Sequence, residues 1–129
     1  MSDLVTVVDD DESIRVSSDA LLRSAGYRAA TFASGAAFLE SGRLSETGCL
    51  VVDVQMAGLN GLELQDRLNL AQSRVPIIFV TAYYSDARRQ RAIAAGATDF
   101  FQKPVAADLL LRTIEGALKN RRIKESCGE

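Results

Sequence analysis

The sequence predicts an α/β domain with a parallel five-stranded sheet and helices on both faces. Short runs rich in β-branched residues, such as Leu4–Val8 (LVTVV), alternate with longer segments of helical spacing along the 129-residue chain. The strongest runs are apolar throughout, which is typical of strands buried on both faces. Because crossovers between parallel strands are right-handed, a doubly wound sheet is the expected arrangement.

Three of the predicted strands lie in the first half of the chain. They are Leu4–Val8, Arg28–Phe32 and Gly48–Asp53. The Arg28–Phe32 strand is the weakest of them, which favours a place near the edge of the sheet. A helix from about Ser13 to Ala25 ends at Gly26, a favourable C-cap residue. Ser34 is a suitable N-cap for a short helix that carries Phe38.

The second half continues the alternation. A helix is predicted from about Asn60 to Ala71, and Pro76 precedes a strand at Ile77–Val80. A helix over about Asp86–Ala95 ends at Gly96. The last elements are a strand at Thr98–Phe101, the Lys103-Pro104 turn and a helix over about Ala107–Arg121. We predict one domain over residues 1–121, with residues 122–129 as a C-terminal tail or the start of a linker.

Composition excludes several classes of function. The chain has no histidine, which excludes Ser-His-Asp and Cys-His hydrolases and histidine zinc sites. The net charge of −2 gives no indication of attraction to nucleic acid or membrane. We expect Cys49 to be a core residue and Cys127 an exposed thiol, which suits a reducing compartment. Without a signal peptide or an apolar run near the roughly 20 residues that span a bilayer, the sequence predicts a cytoplasmic protein.

Polar side chains follow the strands at the edge where α/β sheets bind ligands. Asp9–Glu12 follow the first strand, Asp53 ends the third, Thr81 follows the fourth and Lys103 follows the fifth. Clustered carboxylates repel each other unless a cation is present, and their hard oxygens suit Mg²⁺ or Mn²⁺. A carboxylate can also act as a nucleophile and form an acyl phosphate, with lysine and hydroxyl groups binding phosphoryl oxygens.

Most of these residues have an ordinary structural explanation when each is taken alone, whereas Asp53, which closes an apolar strand, is less easily explained in this way. Asp11 or Ser13 can be the N-cap of the following helix, and Asp9 or Asp10 alone can be structural. Thr81 can be a turn residue, and Lys103 can be a surface lysine before a turn. Their joint placement at one edge favours a site for phosphoryl transfer.

Four segments resemble the receiver domain of two-component response regulators, from Leu4 to about Asn120. They are VVDDDES at the first strand end, LVVDVQMAGLNG around Asp53, VPIIFVTA up to Thr81, and AGATDFFQKP up to Pro104. Each is weakly specific alone, whereas four in this order are highly specific. The resemblance implies a flavodoxin-like (βα)5 fold and a phosphoacceptor that does not turn over an external substrate.

The resemblance also implies how the acidic residues are used. Asp53 is expected to be the phosphorylated residue. Asp10 is expected to bind Mg²⁺ directly and Asp9 through water. Asp53 and the backbone carbonyl of Gln55 complete the implied metal ligands.

Further residues take implied roles around the phosphoryl group. Thr81 and Lys103 are expected to contact it, and the peptide bond before Pro104 is expected to be cis. Phe100 occupies the position of an aromatic switch whose ring turns inward when Thr81 moves toward the phosphate. An ordinary core aromatic explains Phe100 as well.

This sequence departs from the family pattern at a few positions. Ala57 stands where proline is usual, which can loosen the loop after Asp53, and Val105 stands where phenylalanine is common. Tyr83 borders the expected path of the attacking water, so its bulk is expected to slow hydrolysis of the acyl phosphate.

The implied partners are a sensor histidine kinase or phosphotransfer protein, and a second copy of the chain through the last two helices. Arg88, Arg89 and Arg91 can pair with acidic groups of such a partner, although an exposed helix face explains them equally well. Nucleic acid is expected only through an output domain beyond this chain. No membrane partner is expected.

The sequence is also compatible with two other functions. One is a receiver-like interaction module that never carries phosphate. The other is a small enzyme on a related fold, such as an aspartate-dependent phosphatase or a flavin- or nucleotide-binding protein. A phosphatase of this kind needs a second aspartate two residues after the nucleophile, where Gln55 stands. The sequence also lacks the nucleotide-binding motifs G-x-x-x-x-G-K-[ST] and G-x-G-x-x-G.

Overall fold

The chain folds as one parallel sheet, in the strand order β2-β1-β3-β4-β5. A computed structural model describes residues 3–126, with side chains described as far as residue 121. The strands are β1 (Leu4–Val8), β2 (Arg28–Phe32), β3 (Thr47–Val52), β4 (Ile77–Thr81) and β5 (Asp99–Gln102). The helices are α1 (Glu12–Ser24), α2 (Gly35–Ser41), α3 (Gly61–Leu70), α4 (Asp86–Ala94) and α5 (Ala107–Ser126). The predicted fold class is confirmed, and β2 lies at the edge as expected.

Helices α1 to α4 each begin at a polar side chain that accepts a hydrogen bond from the first turn. These N-caps are Asp11, Ser34, Asn60 and Ser85. Asn60 and Glu63 form a reciprocal capping box, which pairs two backbone N–H groups at the start of α3. Because the first N–H groups of a helix have no partner within it, these caps determine where each helix starts.

Apolar side chains fill both faces of the sheet. Helices α2, α3 and α4 cover one face, where Phe38, Leu64 and Phe79 are fully buried. Helices α1 and α5 cover the other face, where Leu22 and Ile114 are buried. With helices on both faces, the polar groups at the carboxyl ends of the strands are left at a single edge.

Two parts of the backbone differ from the sequence prediction. A 3₁₀ helix at Arg43–Glu46 precedes β3 and was not predicted. The last helix was predicted too short, because α5 continues past Arg121 to Ser126 through a stretch without glycine or proline. Neither α5 nor any other helix within residues 3–126 is long and apolar enough to cross a bilayer.

The two cysteine predictions have different outcomes. Cys49 is confirmed as a core residue, fully buried in β3 and not in a disulfide. Cys127 lies outside the described residues, and so does the end of the predicted tail at 122–129. The division of the chain at residue 121 stays a prediction.

Candidate functional site

Three carboxylates lie together at the carboxyl end of the sheet. Asp9 and Asp10 follow β1, and Asp53 follows the neighbouring strand β3. One oxygen from each lies within 4.8 Å of those of the other two. Asp9 and Asp53 are buried, with 3% and 8% of their surface exposed, whereas Asp10 is exposed. The three line an open cavity of about 610 Å³, which Gln55 also lines.

Lys103 forms a bridge between the two buried carboxylates. Its Nζ atom donates to Oδ2 of Asp9 at 2.8 Å and to Oδ2 of Asp53 at 3.1 Å. The second oxygen of each carboxylate accepts a backbone N–H two residues further on, from Asp11 at 2.9 Å and from Gln55 at 3.0 Å. The bridge explains how two buried acids can lie side by side, since the ammonium offsets their repulsion. The bond between Lys103 and Pro104 is cis.

The environment of the bridge shifts the pKa of two groups. Burial raises the pKa of Asp53, although the Gln55 N–H and the Lys103 ammonium act in the opposite direction. Burial by itself would lower the pKa of Lys103, but the hydrogen bonds to Asp9 and Asp53 outweigh it, so this pKa is raised. Lys103 is therefore firmly cationic at neutral pH, and Asp53 carries its charge at a desolvation cost.

The carboxylate cluster fits a divalent cation. Its three members offer hard oxygen donors from a compact group, which is the ligand type of Mg²⁺ and Mn²⁺. No hydrogen bond to the Asp10 carboxylate is seen within the part of the chain that the structure describes, so this group is available as a ligand. The Lys103 ammonium shows that Asp9 and Asp53 already accept one cation.

Gly61 allows α3 to pack closely behind Asp53. A Cβ atom added at Gly61 would lie 2.5 Å from the carbonyl oxygen of Asp53 and 3.0 Å from Val52 and Val54. The Gly61 N–H donates to the Val54 carbonyl at 3.0 Å. Only glycine fits this approach, which holds the loop after β3 against the start of α3.

Thr81 ends β4 beside this cluster and is not among the residues that line the cavity. It is fully buried, and its hydroxyl accepts the Tyr83 N–H at 3.0 Å. Ala82 and Tyr83, rather than Thr81, line the cavity. The Thr81 hydroxyl is thus already engaged by the backbone of the loop after β4.

Phe100 lies inside the core, with 3% of its surface exposed. Its ring packs against Phe79 and Tyr84, with centroid distances of 5.8 and 5.7 Å. An ordinary core aromatic accounts for this burial, and the switching role stays a prediction.

The arginines of α4 have partners within the chain. Arg88, Arg89 and Arg91 each contact a neighbouring oxygen, which supports the interpretation as an exposed helix face. The partners are the Tyr83 carbonyl at 2.8 Å, Asp99 at 3.9 Å and Asp66 at 2.9 Å.

One further contact at this edge was not indicated by the sequence. Arg15, on the first turn of α1, donates from Nη1 to the carbonyl oxygen of Asp9 at 2.8 Å. Its only sequence signal is its position four residues after the N-cap Asp11, which does not reveal where its side chain points. The double role of Lys103 was also missed, because its bond to Asp9 depends on the fold.

The fold and this site define a class of protein, the receiver domain of response regulators. The family described as "Response regulator receiver domain" matches residues 5–115, so the chain belongs to it. Its membership places the chain in two-component signalling.

Particular relatives share this domain. The chain is 38% identical over 122 residues to "Response regulator protein TodT" of Pseudomonas putida, covering 92% of this chain and 54% of TodT. It is 38% identical over 115 residues to "Transcriptional regulatory protein FixJ" of Bradyrhizobium diazoefficiens, covering 89% of this chain and 56% of FixJ. The structure of the response regulator StyR matches with a TM-score of 0.87 at 39% identity, covering 99% of this chain and 67% of StyR. The chain thus spans about half the length of these two curated relatives.

Proposed function

We propose that Asp53 accepts a phosphoryl group from a phosphohistidine of a sensor kinase or phosphotransfer protein. The observation that carries this proposal is the Lys103 bridge between two buried carboxylates, one of which has a raised pKa. A buried carboxylate is costly to keep charged, and a cation beside it stabilises the charged form that acts as the nucleophile. Family membership supports the same role.

Each neighbour of Asp53 has a defined task in the transfer. A carboxylate oxygen of Asp53 attacks the phosphorus, the new O–P bond forms as the P–N bond breaks, and the imidazole leaves and is protonated. The Lys103 ammonium lies beside the attacking carboxylate and can donate a hydrogen bond to a phosphoryl oxygen as negative charge develops there. Asp9, Asp10 and Asp53, with the Gln55 carbonyl, are the proposed ligands of Mg²⁺ (or Mn²⁺). The ion would neutralise charge on the transferring group.

The transfer is proposed to act as a two-state switch. Once phosphate is bound, the Thr81 hydroxyl leaves the Tyr83 N–H and pairs with a phosphoryl oxygen. This movement changes the packing next to Phe100, which Tyr84 contacts. A bias of a few kcal/mol between the two states is sufficient for a switch.

Partners and output belong to the same proposal. Residues 1–121 form the receiver, and residues 122–129 lead toward an output domain, because the chain spans about half of relatives such as the transcriptional regulator FixJ. A homodimer through α4 and α5 is the proposed assembly of the phosphorylated form. We place the domain in the cytoplasm, where free thiols such as Cys49 stay reduced.

The test is mass spectrometry of the intact chain after treatment with acetyl phosphate and Mg²⁺. We expect one added phosphoryl group on the parent chain and on Asp108→Asn, a matched carboxylate on the exposed side of α5. Asp53→Asn is expected to carry none, and Asp10→Asn is expected to be labelled far more slowly.

Two results would contradict the proposal. Labelling of Asp53→Asn at the parent's rate would show that another residue accepts the phosphate. No labelling of the folded parent by either acetyl phosphate or a phosphohistidine donor would favour the phosphorylation-independent interaction module.

A further inference from the structure

The Arg15 side chain forms a hydrogen bond with the backbone of Asp9, a member of the carboxylate cluster. Its Nη1 atom donates to the Asp9 carbonyl oxygen at 2.8 Å, and the contact is partly buried. On the other side, the Asp9 N–H donates to the Phe32 carbonyl at 3.0 Å. The Asp9 main chain is therefore fixed at both its donor and its acceptor, by β2 and by α1.

This bond also controls where Asp10 points. The Asp9 carbonyl and the Asp10 N–H belong to one planar peptide group, so the orientation of one sets the orientation of the other. Asp10 is exposed, and within the described residues its carboxylate has no hydrogen-bond partner that could aim it. The backbone therefore sets its direction. Two side-chain contacts restrain that backbone, the bond from Arg15 to the Asp9 carbonyl and the bond from the Asp11 N–H to the Asp9 carboxylate.

We propose that Arg15 is a positioning residue for the divalent cation, acting through the Asp9–Asp10 peptide. This inference rests on the proposed function, in which Asp10 is a direct ligand. Loss of an outer contact that orients a metal ligand typically weakens metal affinity by about 10- to 100-fold. Arg15 is expected to have such an effect without touching the ion.

Charge and position make opposite predictions for the loss of Arg15. A guanidinium near the cluster repels a cation, so its removal by itself would tighten Mg²⁺ binding. If its main role is positioning, removal weakens Mg²⁺ binding instead. The sign of the change therefore separates the two effects.

The experiment measures Mg²⁺ affinity by calorimetry on the full chain at fixed ionic strength. We expect Arg15→Met to bind about 10-fold more weakly than the parent. Arg15→Lys keeps the charge but loses the planar fork, and an intermediate loss of roughly 3-fold is expected.

Arg23 provides a matched control on the same helix. Its Nη2 donates to a backbone carbonyl of β2, that of Ala29, at 3.1 Å, and it also pairs with Asp19. Arg23→Met removes the same charge and the same kind of bond away from the cluster. It is expected to bind Mg²⁺ within about 2-fold of the parent.

A second measurement needs no metal. The Asp11 N–H donates to the Asp9 carboxylate, so loosening of this turn exposes it. In metal-free protein, hydrogen exchange of the Asp11 amide is expected to be several-fold faster in Arg15→Met than in Arg23→Met.

The outcomes are separable. Mg²⁺ binding by Arg15→Met that equals or exceeds that of the parent overturns the inference, and so does unchanged exchange at Asp11. If Arg15→Met does not fold, Arg15→Lys decides, and parental affinity in that variant overturns the inference. A parent chain that binds no Mg²⁺ contradicts the proposed function instead, whereas exchange of the Asp11 amide still tests whether Arg15 restrains the Asp9 backbone.

Discussion

Asp9 and Asp53 are buried side by side, and Lys103 is the residue on which that arrangement depends. Its ammonium satisfies one oxygen of each carboxylate, at 2.8 and 3.1 Å. Removing the lysine would leave two buried acids with one backbone hydrogen bond each. We expect a divalent cation to bind the same carboxylates as the ammonium. Lys103 and the metal are therefore predicted to compete in the resting state.

This competition predicts the behaviour of Lys103→Met. We expect its free energy of unfolding without Mg²⁺ to fall by about 1–3 kcal/mol, since two carboxylates lose a partner. Added Mg²⁺ should raise the stability of the variant more than that of the parent. Urea unfolding with and without Mg²⁺ measures both quantities.

Lys119 is the control for the loss of a lysine. It pairs with Glu115 one turn away on α5, and both side chains are mostly exposed. Lys119→Met is expected to change the free energy of unfolding by no more than about 0.5 kcal/mol. A smaller effect of Mg²⁺ on Lys103→Met than on the parent would contradict the idea of competition.

The raised pKa of Asp53 predicts a pH-dependent effect of Asp53→Asn. Because burial raises this pKa above the unfolded value, the folded chain holds the proton more tightly than the unfolded chain. Ionisation of Asp53 thus lowers stability progressively as pH rises from about the ordinary value of 3.8 through the folded pKa. Asp53→Asn cannot ionise, so its stability relative to the parent should increase from pH 4 to pH 7.

Urea unfolding of Asp53→Asn and parent at several pH values checks this trend. Asp66→Asn is the control, because Asp66 is exposed and lies on α3 away from the cluster. A stability difference for Asp53→Asn that is constant with pH, or that decreases toward pH 7, would be the opposite of the expectation.

Tyr83 is expected to set the lifetime of the phosphorylated state. It lines the cavity beside the carboxylates, with 63% of its surface exposed. Tyr83→Ala opens the path for water, so we expect dephosphorylation to be roughly 3-fold faster, which corresponds to less than 1 kcal/mol of barrier. Loss of label after removal of the phosphodonor measures the rate, and Val16→Ala, an exposed apolar residue of α1, is the control. An unchanged rate removes this role.

At the scale of elements, the sequence predicted the bounds of all five strands to within one residue at each end. The bounds of β1 and β2 were predicted without error, although β1 is buried and β2 is partly exposed at the sheet edge. The 3₁₀ helix at Arg43–Glu46 was missed because four residues are too few to show a period. The end of α5 was missed because a polar helix without a stop signal resembles a tail.

The start of α3 carries the most specific packing requirement of any element near the site. We expect Gly61→Ala to lower the free energy of unfolding by about 1–3 kcal/mol, because its Cβ would overlap the Asp53 carbonyl. The displaced loop should also slow phosphorylation of Asp53 by acetyl phosphate. Urea unfolding and the rate of label incorporation test the two effects.

Gly116 gives the matched comparison. It lies within α5, and a Cβ there would meet nothing within 4 Å. Gly116→Ala should therefore stabilise the chain by about 0.5–1 kcal/mol, as expected for glycine inside a helix. Equal effects of the two substitutions would show that the close approach at Gly61 is unimportant.

At the scale of the whole molecule, the site exists only when the sheet is complete. Lys103 lies 94 residues from Asp9 and 50 from Asp53 along the chain. The sequence could predict that these residues meet, because strand ends share an edge in a parallel sheet. It could not predict that Lys103 pairs with both acids or that the Thr81 hydroxyl accepts the Tyr83 N–H. Those details depend on packing between distant elements.

Alkylation of Cys49 can measure whether the sheet unfolds as a single unit. Cys49 is fully buried in β3, and burial raises the pKa of its thiol to about 12, so the folded chain should resist alkylation. In a Cys127→Ser background, Cys49 is the single cysteine. Its slow alkylation should then report unfolding of the sheet, and the free energy derived from its protection should equal that from urea unfolding.

Binding of Mg²⁺ at the opposite end of β3 should slow that alkylation. Because only the folded site binds the ion, protection should increase by the factor 1 + [Mg²⁺]/Kd, about 10-fold when the ion is at roughly nine times its Kd. Asp10→Asn in the same background should lose this increase while keeping its basal protection. An alkylation rate that is unchanged by both urea and Mg²⁺ would mean that β3 opens locally. The carboxylate cluster would then not depend on the whole sheet.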